Sequence, residues 1–419
     1  MKTFGLRSLA LPLFTLMAVS VVVAQTLPES NAGKAPARRP VHHHLGPPPH
    51  AGGRLGDPLP NLTQEQITDF SNGLDEFENV ETVASGLGPI FNNTSCANCH
   101  SNPVVGGASA ALETRFGRSD GKNDFDPLTE EGGSLLQSQA IDPACLERIP
   151  TDANVIAQRK TGPVFGLGLI EAIPDSDIQA LAKNNSKKPD GVLGRPAIVQ
   201  DVASGESRVG RFGWKAQQAT LLAFAGDAYL NEMGITNRLF PTENAPNGNQ
   251  KLLAQFDHVA DPEDTTDPST GKADIDRFAD FMRLLAPPPP PRVTAETQSG
   301  LNMFTRLGCA VCHVPTLYTG ANQILALDRK PVNLFSDLLL HDMGSLNDGI
   351  GQGDALPNEM KTPPLWGLKF RAPYLHDGRS PTLADAILAH DGEGLTARNR
   401  FNQLSAAQQK LFVDFLNSL

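Results

Sequence analysis

Cys96, Cys99 and His100 stand together in "SGLGPIFNNTSCANCHSNP", and Cys309, Cys312 and His313 repeat the arrangement in "LGCAVCHVP". Both read C-x-x-C-H. With 5 Cys and 10 His in 419 residues, one such pattern arises by chance in about one chain in a thousand, so two copies are not coincidence. Several chemistries use closely spaced cysteines. A zinc ribbon wants two C-x-x-C pairs and no obligatory following histidine. A thioredoxin-type pair wants a βαβ setting, which the sequence does not offer. Two disulfides would leave both histidines unexplained. Two thiols three positions apart near the start of a helix can reach the vinyl groups along one porphyrin edge, and the next residue then turns its imidazole to the iron. The spacing predicts two covalent c-type haems, on Cys96/Cys99/His100 and on Cys309/Cys312/His313.

The other face of each iron decides between electron transfer and chemistry. Near the second motif in function, "APYLHDGRSPTLADAILAHDGE" reads as a helix entered at Ser380-Pro381, an N-cap followed by a first-turn proline. Leu383, Ile387 and His390 then share one face. On its residues alone, His390 at the end of an apolar stripe reads as a core or surface histidine, with a ligand role as the sharper alternative. Met343 and His341 in "LLLHDMG" are competing ligands.

The elements that hold these residues follow from pattern. The opening "MKTFGLRSLALPLFTLMAVSVVVAQ" has two cations, an apolar run and small residues at 22–24, which predicts a signal peptide over 1–24 and export to the periplasm. An uncleaved anchor is the alternative, but the run is short for a span, and no later stretch is apolar enough to cross a bilayer. Residues 25–61 are rich in Pro and Gly and read as a flexible segment. His42, His43 and His44 within it could take a metal, though a solvated linker is the plainer reading. A helical pattern opens at "LTQEQITDFSNGLDEF" and a first domain runs over 62–286. The prolines of 287–291 end its last helix and act as a stiff spacer. A second domain, 292–419, starts with the helix that delivers the second motif and closes on the amphipathic "SAAQQKLFVDFLNSL". No stretch alternates as a sheet strand should. The expected fold is mainly α: two cytochrome-c-like domains with long irregular loops, one covalent haem each.

The formal net charge is −11, or −13 once Lys2 and Arg7 leave with the signal. That balance argues against nucleic acid and anionic membrane surfaces and leaves room for a basic electron-transfer partner. Cys145, the fifth cysteine, reads as a buried free thiol. The acidic "DHVADPEDTTDPSTGKADIDRF" lacks the spacing of a known calcium loop and reads as solvated.

Over about residues 62–419 the chain resembles the di-haem oxidoreductases of the peroxidase type, sometimes labelled thiol oxidoreductases, and more distantly the bacterial di-haem cytochrome c peroxidases. The likeness rests on "GLGPIFNNTSCANCH", "GLGLIEAIPD", "LLLHDMG", "KTPPLWGLKF" and "APYLHDGRSPTL", in that order. In those peroxidases a methionine downstream of the APY-x-H-x-G motif ligates the second haem, and His390 stands at its position here. The resemblance thus implies His390 as sixth ligand, with a lower potential than a thioether would give, because imidazole favours ferric iron. It implies Glu232, in the Glu-Met pair, as the acid/base over a peroxide-binding iron, and Trp214 as an electron relay between the haems. It also implies hydrogen peroxide as substrate, a small electron-donor protein or redox mediator as partner, and a Ca2+ held between the haems largely by backbone carbonyls. Two features depart from the family. No displaceable histidine follows the first motif, so the first haem is expected to be open without reductive activation. Leu222 stands where the family has a glutamine, with Gln217 or Gln218 as replacements. A non-enzymatic electron carrier, with Met233 closing the first haem, and a di-haem oxygenase on the same scaffold are the other functions this pattern allows.

Overall fold

The computed structural model describes residues 53–121, 124–183 and 188–419. The expected signal peptide, the three histidines at 42–44 and most of the Pro/Gly-rich segment lie outside the described residues. The end of that segment is held in place. Leu59 is buried and its N–H donates to the Leu284 carbonyl at 2.7 Å, so the reading of 25–61 as flexible fails at 57–59.

Eleven α-helices are found among the described residues: Gln64–Glu78 (α1), Cys96–Cys99 (α2), Leu167–Glu171 (α3), Asp175–Ala182 (α4), Leu221–Met233 (α5), Gln250–Phe256 (α6), Asp274–Leu284 (α7), Ala295–Leu307 (α8), Leu383–Leu388 (α9), Leu395–Asn402 (α10) and Ala406–Ser418 (α11). The longer ones begin where the sequence supplies caps. Thr63 with Gln66, Thr294 with Thr297 and Ser405 with Gln408 form reciprocal capping boxes at α1, α8 and α11, satisfying amide groups that lack an intrahelical partner.

Each C-x-x-C-H motif lies against its own helix pair. Near the first, α1 and α7 approach so closely that a Cβ on Gly73 would stand 2.4 Å from the Arg277 carbonyl oxygen. Phe70 and Phe77 of α1 meet Phe281 of α7 at ring separations of 5.4 and 4.8 Å, and Tyr229 of α5 meets Phe278 at 5.1 Å. Near the second, a Cβ on Gly300 of α8 would stand 2.3 Å from the Phe415 side chain of α11. Phe304 packs on Phe412, Phe415 and Phe335 at 5.7–6.1 Å. The two aromatic clusters are separate, but Val314, Leu334 and Leu339, which follow the second motif, belong to the larger core built around α1, α5 and α7. The proline run is seated on the body: Pro288 is buried, and Pro287 and Pro288 close on Gly166 and Gly367.

Strands appear where the sequence suggested none. Leu112–Gly117 pairs antiparallel with Val155–Lys160 and Leu135–Leu136, and Ala197–Asp201 pairs with Glu206–Gly210. Their inward faces mix apolar side chains such as Ala197 and Val199 with charged ones. Ile156 and Ile198 are exposed, whereas Arg159 and Asp201 are buried. A hydropathy pattern cannot reveal strands whose inward faces carry charge. The expectation of a mainly helical chain with long irregular connections holds; the expectation that it lacks sheet does not.

Candidate functional site

In the first motif, the short α2 carries Cys96 and Cys99, and the His100 N–H donates to the Cys96 carbonyl at 3.0 Å. His100 Nδ1 lies 3.3 Å from the Gly107 carbonyl oxygen. A carbonyl only accepts, so Nδ1 carries the proton and Nε2 keeps its lone pair. Burial pushes the His100 pKa down to about 4, holding the ring neutral. Its ring contact is the edge of Phe77 at 5.9 Å.

The second motif repeats this design. The Gly308 C-cap of α8 leads straight into Cys309–Val311, and the His313 N–H donates to the Cys309 carbonyl at 2.9 Å. His313 Nδ1 donates to the Phe335 carbonyl at 3.0 Å, and burial lowers its pKa to about 4. Phe304 stands edge-on to it at 6.3 Å, as Phe77 does to His100. All five cysteines are free, and burial pushes the thiols of Cys96 and Cys99 up and that of Cys309 up to about 12.

His390 comes to face His313. Its ring centroid lies 6.4 Å from that of His313, with the planes at 62°. Its Nδ1 donates to the Ala386 carbonyl at 2.8 Å, and burial lowers its pKa. Two metal–imidazole bonds of about 2 Å, with about 1 Å more from nitrogen to ring centre on each side, separate such centroids by about 6 Å. His313 and His390 are thus spaced as two imidazoles that would hold one haem iron. The helix that delivers His390 starts later than Ser380-Pro381. Thr382 is the N-cap, accepting from the Asp385 N–H, while the backbone of Ser380 is paired with that of Tyr374. His341 is committed elsewhere: Nε2 is 3.1 Å from Asp337 Oδ2 and Nδ1 2.6 Å from Glu393 Oε2. Burial works against its charge, but the Asp337 carboxylate outweighs this and holds the imidazolium. His376 packs edge-on to Trp214 at 6.2 Å.

Both motifs, His390, Trp214 and Glu232 border one continuous cavity of about 620 Å3. Its wall also holds two cations, Lys361 and Arg371. The Arg371 guanidinium donates to the carbonyls of Pro364 and Trp366, yet its buried Nε has no partner. Burial pulls Arg371 down to about 10; burial, with Arg371 nearby, pulls Lys361 down to about 8. Buried cations facing a cavity call for an anion within it, and a haem brings two propionates. Gln217 offers a second orphan, its buried Oε1 lacking a partner in the same wall. Leu222 instead packs on the core.

Glu232 lies on the last turn of α5, where the left-handed Gly234 ends the helix. Asn92 Nδ2 donates to its Oε2 at 2.9 Å. Its carboxyl is hydrogen-bonded to that of Glu113, which ion-pairs with Arg115 at 3.0 Å. Burial first, and Glu113 second, push Glu232 up to about 7. For Glu113 burial works the same way, but Arg115 outweighs it and holds the group below its usual range. Of the two carboxyls, Glu232 therefore has the higher proton affinity. Glu113 and Arg115 were missed in the sequence, although they are two apart on one strand and so share a face. Trp214 Nε1 donates to the Lys160 carbonyl at 2.9 Å, and its own carbonyl accepts from the Lys361 N–H at 3.0 Å. Cys145 is buried and joins none of these groups.

Among the described residues no helix is long and apolar enough to cross a membrane. A family model described as "Di-haem oxidoreductase, putative peroxidase" matches residues 138–419. The chain is 27% identical over 214 residues to the cytochrome c peroxidase Ccp of Escherichia coli, a stretch covering 47% of this chain and 42% of that protein. Three solved structures overlap it loosely. They are hydrazine synthase of Kuenenia stuttgartiensis (15% identity, 97% of this chain and 100% of that one, TM-score 0.39), a MauG-like protein associated with microbial copper homeostasis (17%, 90% and 93%, 0.38) and a variant of the diheme peroxidase BthA from Burkholderia thailandensis (13%, 87% and 86%, 0.34). The family match extends over the second C-x-x-C-H motif, Trp214, Glu232 and His390, and on that match the chain belongs to the di-haem oxidoreductases.

Proposed function

We propose that this is an exported di-haem oxidoreductase that reduces hydrogen peroxide at its first haem, with electrons entering from a small donor through its second. The first haem is attached through Cys96 and Cys99 and ligated by His100; the second is attached through Cys309 and Cys312 and ligated by His313 and His390. The observation that carries this reading is the half-buried Glu232–Glu113 pair in the cavity wall shared with His100, where, among the described residues, no second imidazole meets the His100 ring as His390 meets that of His313. When bound, the haem iron supplies electrons for cleavage of the O–O bond. Glu232 takes a proton from the incoming peroxide and returns it to the departing oxygen, so that peroxide, two electrons and two protons give two waters. Glu113 and Arg115 set the proton affinity of Glu232, and Asn92 fixes its orientation. Trp214 is the relay between the two centres.

Rapid mixing of the reduced, haem-loaded protein with hydrogen peroxide tests the reading. Peroxide should be consumed as the protein is oxidised; a reduced protein that survives peroxide overturns it. Met233, buried in the cavity wall beside Glu232, favours one second reading, an electron carrier with both irons six-coordinate. The ferric spectrum separates the two, since an open first haem gives a high-spin component and the carrier gives none. In the same spectra His390→Ala should turn the second haem high-spin and leave the first unchanged. An unaltered spectrum would transfer the ligand role to Met343.

A further inference from the structure

Beyond the haem cavity, the turn after α5 and the acidic loop after α6 bring three carboxylates together. Glu243, Asp261 and Glu263 each offer an oxygen, and these oxygens all lie within 4.8 Å of one another. That span is what one ion with oxygen ligands at about 2.4 Å can bridge. Glu243 is only 6% exposed, and its Oε2 is buried without a hydrogen-bond partner. Its other oxygen is occupied by the N–H of Asn244 at 2.8 Å. Among the described residues no lysine or arginine forms an ion pair with any of the three.

We propose that Glu243, Asp261 and Glu263 hold a calcium ion. Every donor is oxygen, which selects a hard cation over zinc or copper. A buried carboxylate oxygen without a donor or a counter-ion is costly, and a bound cation removes that cost. Burial, with Glu263, Asp257 and Asp261 close by, pushes Glu243 up to about 9, so the cluster is short of positive charge. Thr236 already braces two of the ligands: its N–H donates to Glu263 Oε2 at 2.7 Å, and its hydroxyl donates toward Asp261 Oδ1 at 2.9 Å. Its carbonyl accepts from the Asp264 N–H at 3.1 Å. The ion would therefore clamp the acidic loop onto the segment that leaves α5 just beyond Glu232. This site is separate from the calcium that the family resemblance places between the haems, because none of its three carboxylates borders the cavity that both motifs share.

The test uses the full haem-loaded protein, stripped with EGTA and titrated with CaCl2 in a calorimeter, beside Asp261→Asn and Glu243→Gln. Asp261 is exposed, so its replacement leaves the core intact, and an unchanged haem spectrum confirms folding in each variant. The wild type should bind one calcium more per chain than either variant, or bind it at least tenfold more tightly, and calcium should raise its Tm by more than it raises theirs. Coincident isotherms for the wild type and both variants, or no calcium binding by the wild type, overturn the proposal. Any ion between the haems contributes equally to all three proteins and cancels.

Discussion

At the residue scale, the chemistry rests on unequal partners of the same type. Glu113 and Glu232 are both half-buried glutamates, yet Arg115 ion-pairs with the first, so the first is held below its usual range while burial and the Glu113 charge raise the proton affinity of the second. A base must be unprotonated to accept the peroxide proton. With Glu232 pushed up to about 7, kcat/KM for peroxide should climb as pH rises through about 7 and level off above it. Replacing Glu113 by Gln removes the neighbouring negative charge, and the climb should move to lower pH with the plateau largely kept. Glu232→Gln should cut the plateau by about 10²- to 10⁴-fold, the usual worth of a positioned acid/base. Steady-state pH profiles of the three proteins decide this, and a Glu113→Gln profile that overlays the wild type would remove Glu113 from the argument. The three imidazoles follow the same logic by another means. A backbone carbonyl fixes each Nδ1 proton and burial keeps each ring neutral, so all three keep an Nε2 lone pair for the ligand role proposed for them, whereas His341, between two carboxylates, is held protonated.

At the element scale, the two halves repeat one device: a glycine lets two helices close, and an aromatic from that pair stands edge-on to the motif histidine. Gly73 and Phe77 do this beside His100, Gly300 and Phe304 beside His313. Gly73→Ala puts a methyl against the Arg277 carbonyl and Gly300→Ala puts one against Phe415, and each should cost about 1–3 kcal/mol of stability. Denaturant unfolding measures the loss. The spectra should locate it, with Gly73→Ala disturbing the first haem and Gly300→Ala the second. These helices were legible because capping residues and apolar spacing announce them. The strand that carries Glu113 and Arg115 was not, because its functional face is charged and its neighbour Val155–Lys160 turns Ile156 to solvent and Arg159 inward. The same difficulty displaced the start of α9. Ser380-Pro381 has the composition of a helix entry, but the Ser380 backbone is spent on Tyr374, and the cap falls to Thr382.

At the scale of the whole molecule, the site is assembled from segments far apart in the chain, and spacing alone could not show which would meet. The two motifs, and through family likeness Glu232, Trp214 and His390, could be named from sequence; their convergence on one cavity, and the cations Lys361 and Arg371 in its wall, needed the fold. Trp214 is one place where the two stretches of chain meet. Its ring nitrogen bonds Lys160 from the first half, while its carbonyl and its ring face Lys361 and His376 from the second. If the proposed function holds, an oxidisable ring at that junction is placed to relay electrons from one centre to the other. Trp214→Phe keeps an aromatic ring in place but is far harder to oxidise and loses the bond to Lys160. Both haem spectra and the binding of peroxide should therefore persist, while turnover driven by an external donor falls at least tenfold. If donor-driven turnover matches the wild type, electrons cross by a path that avoids this ring, and the junction is only a packing contact between the halves.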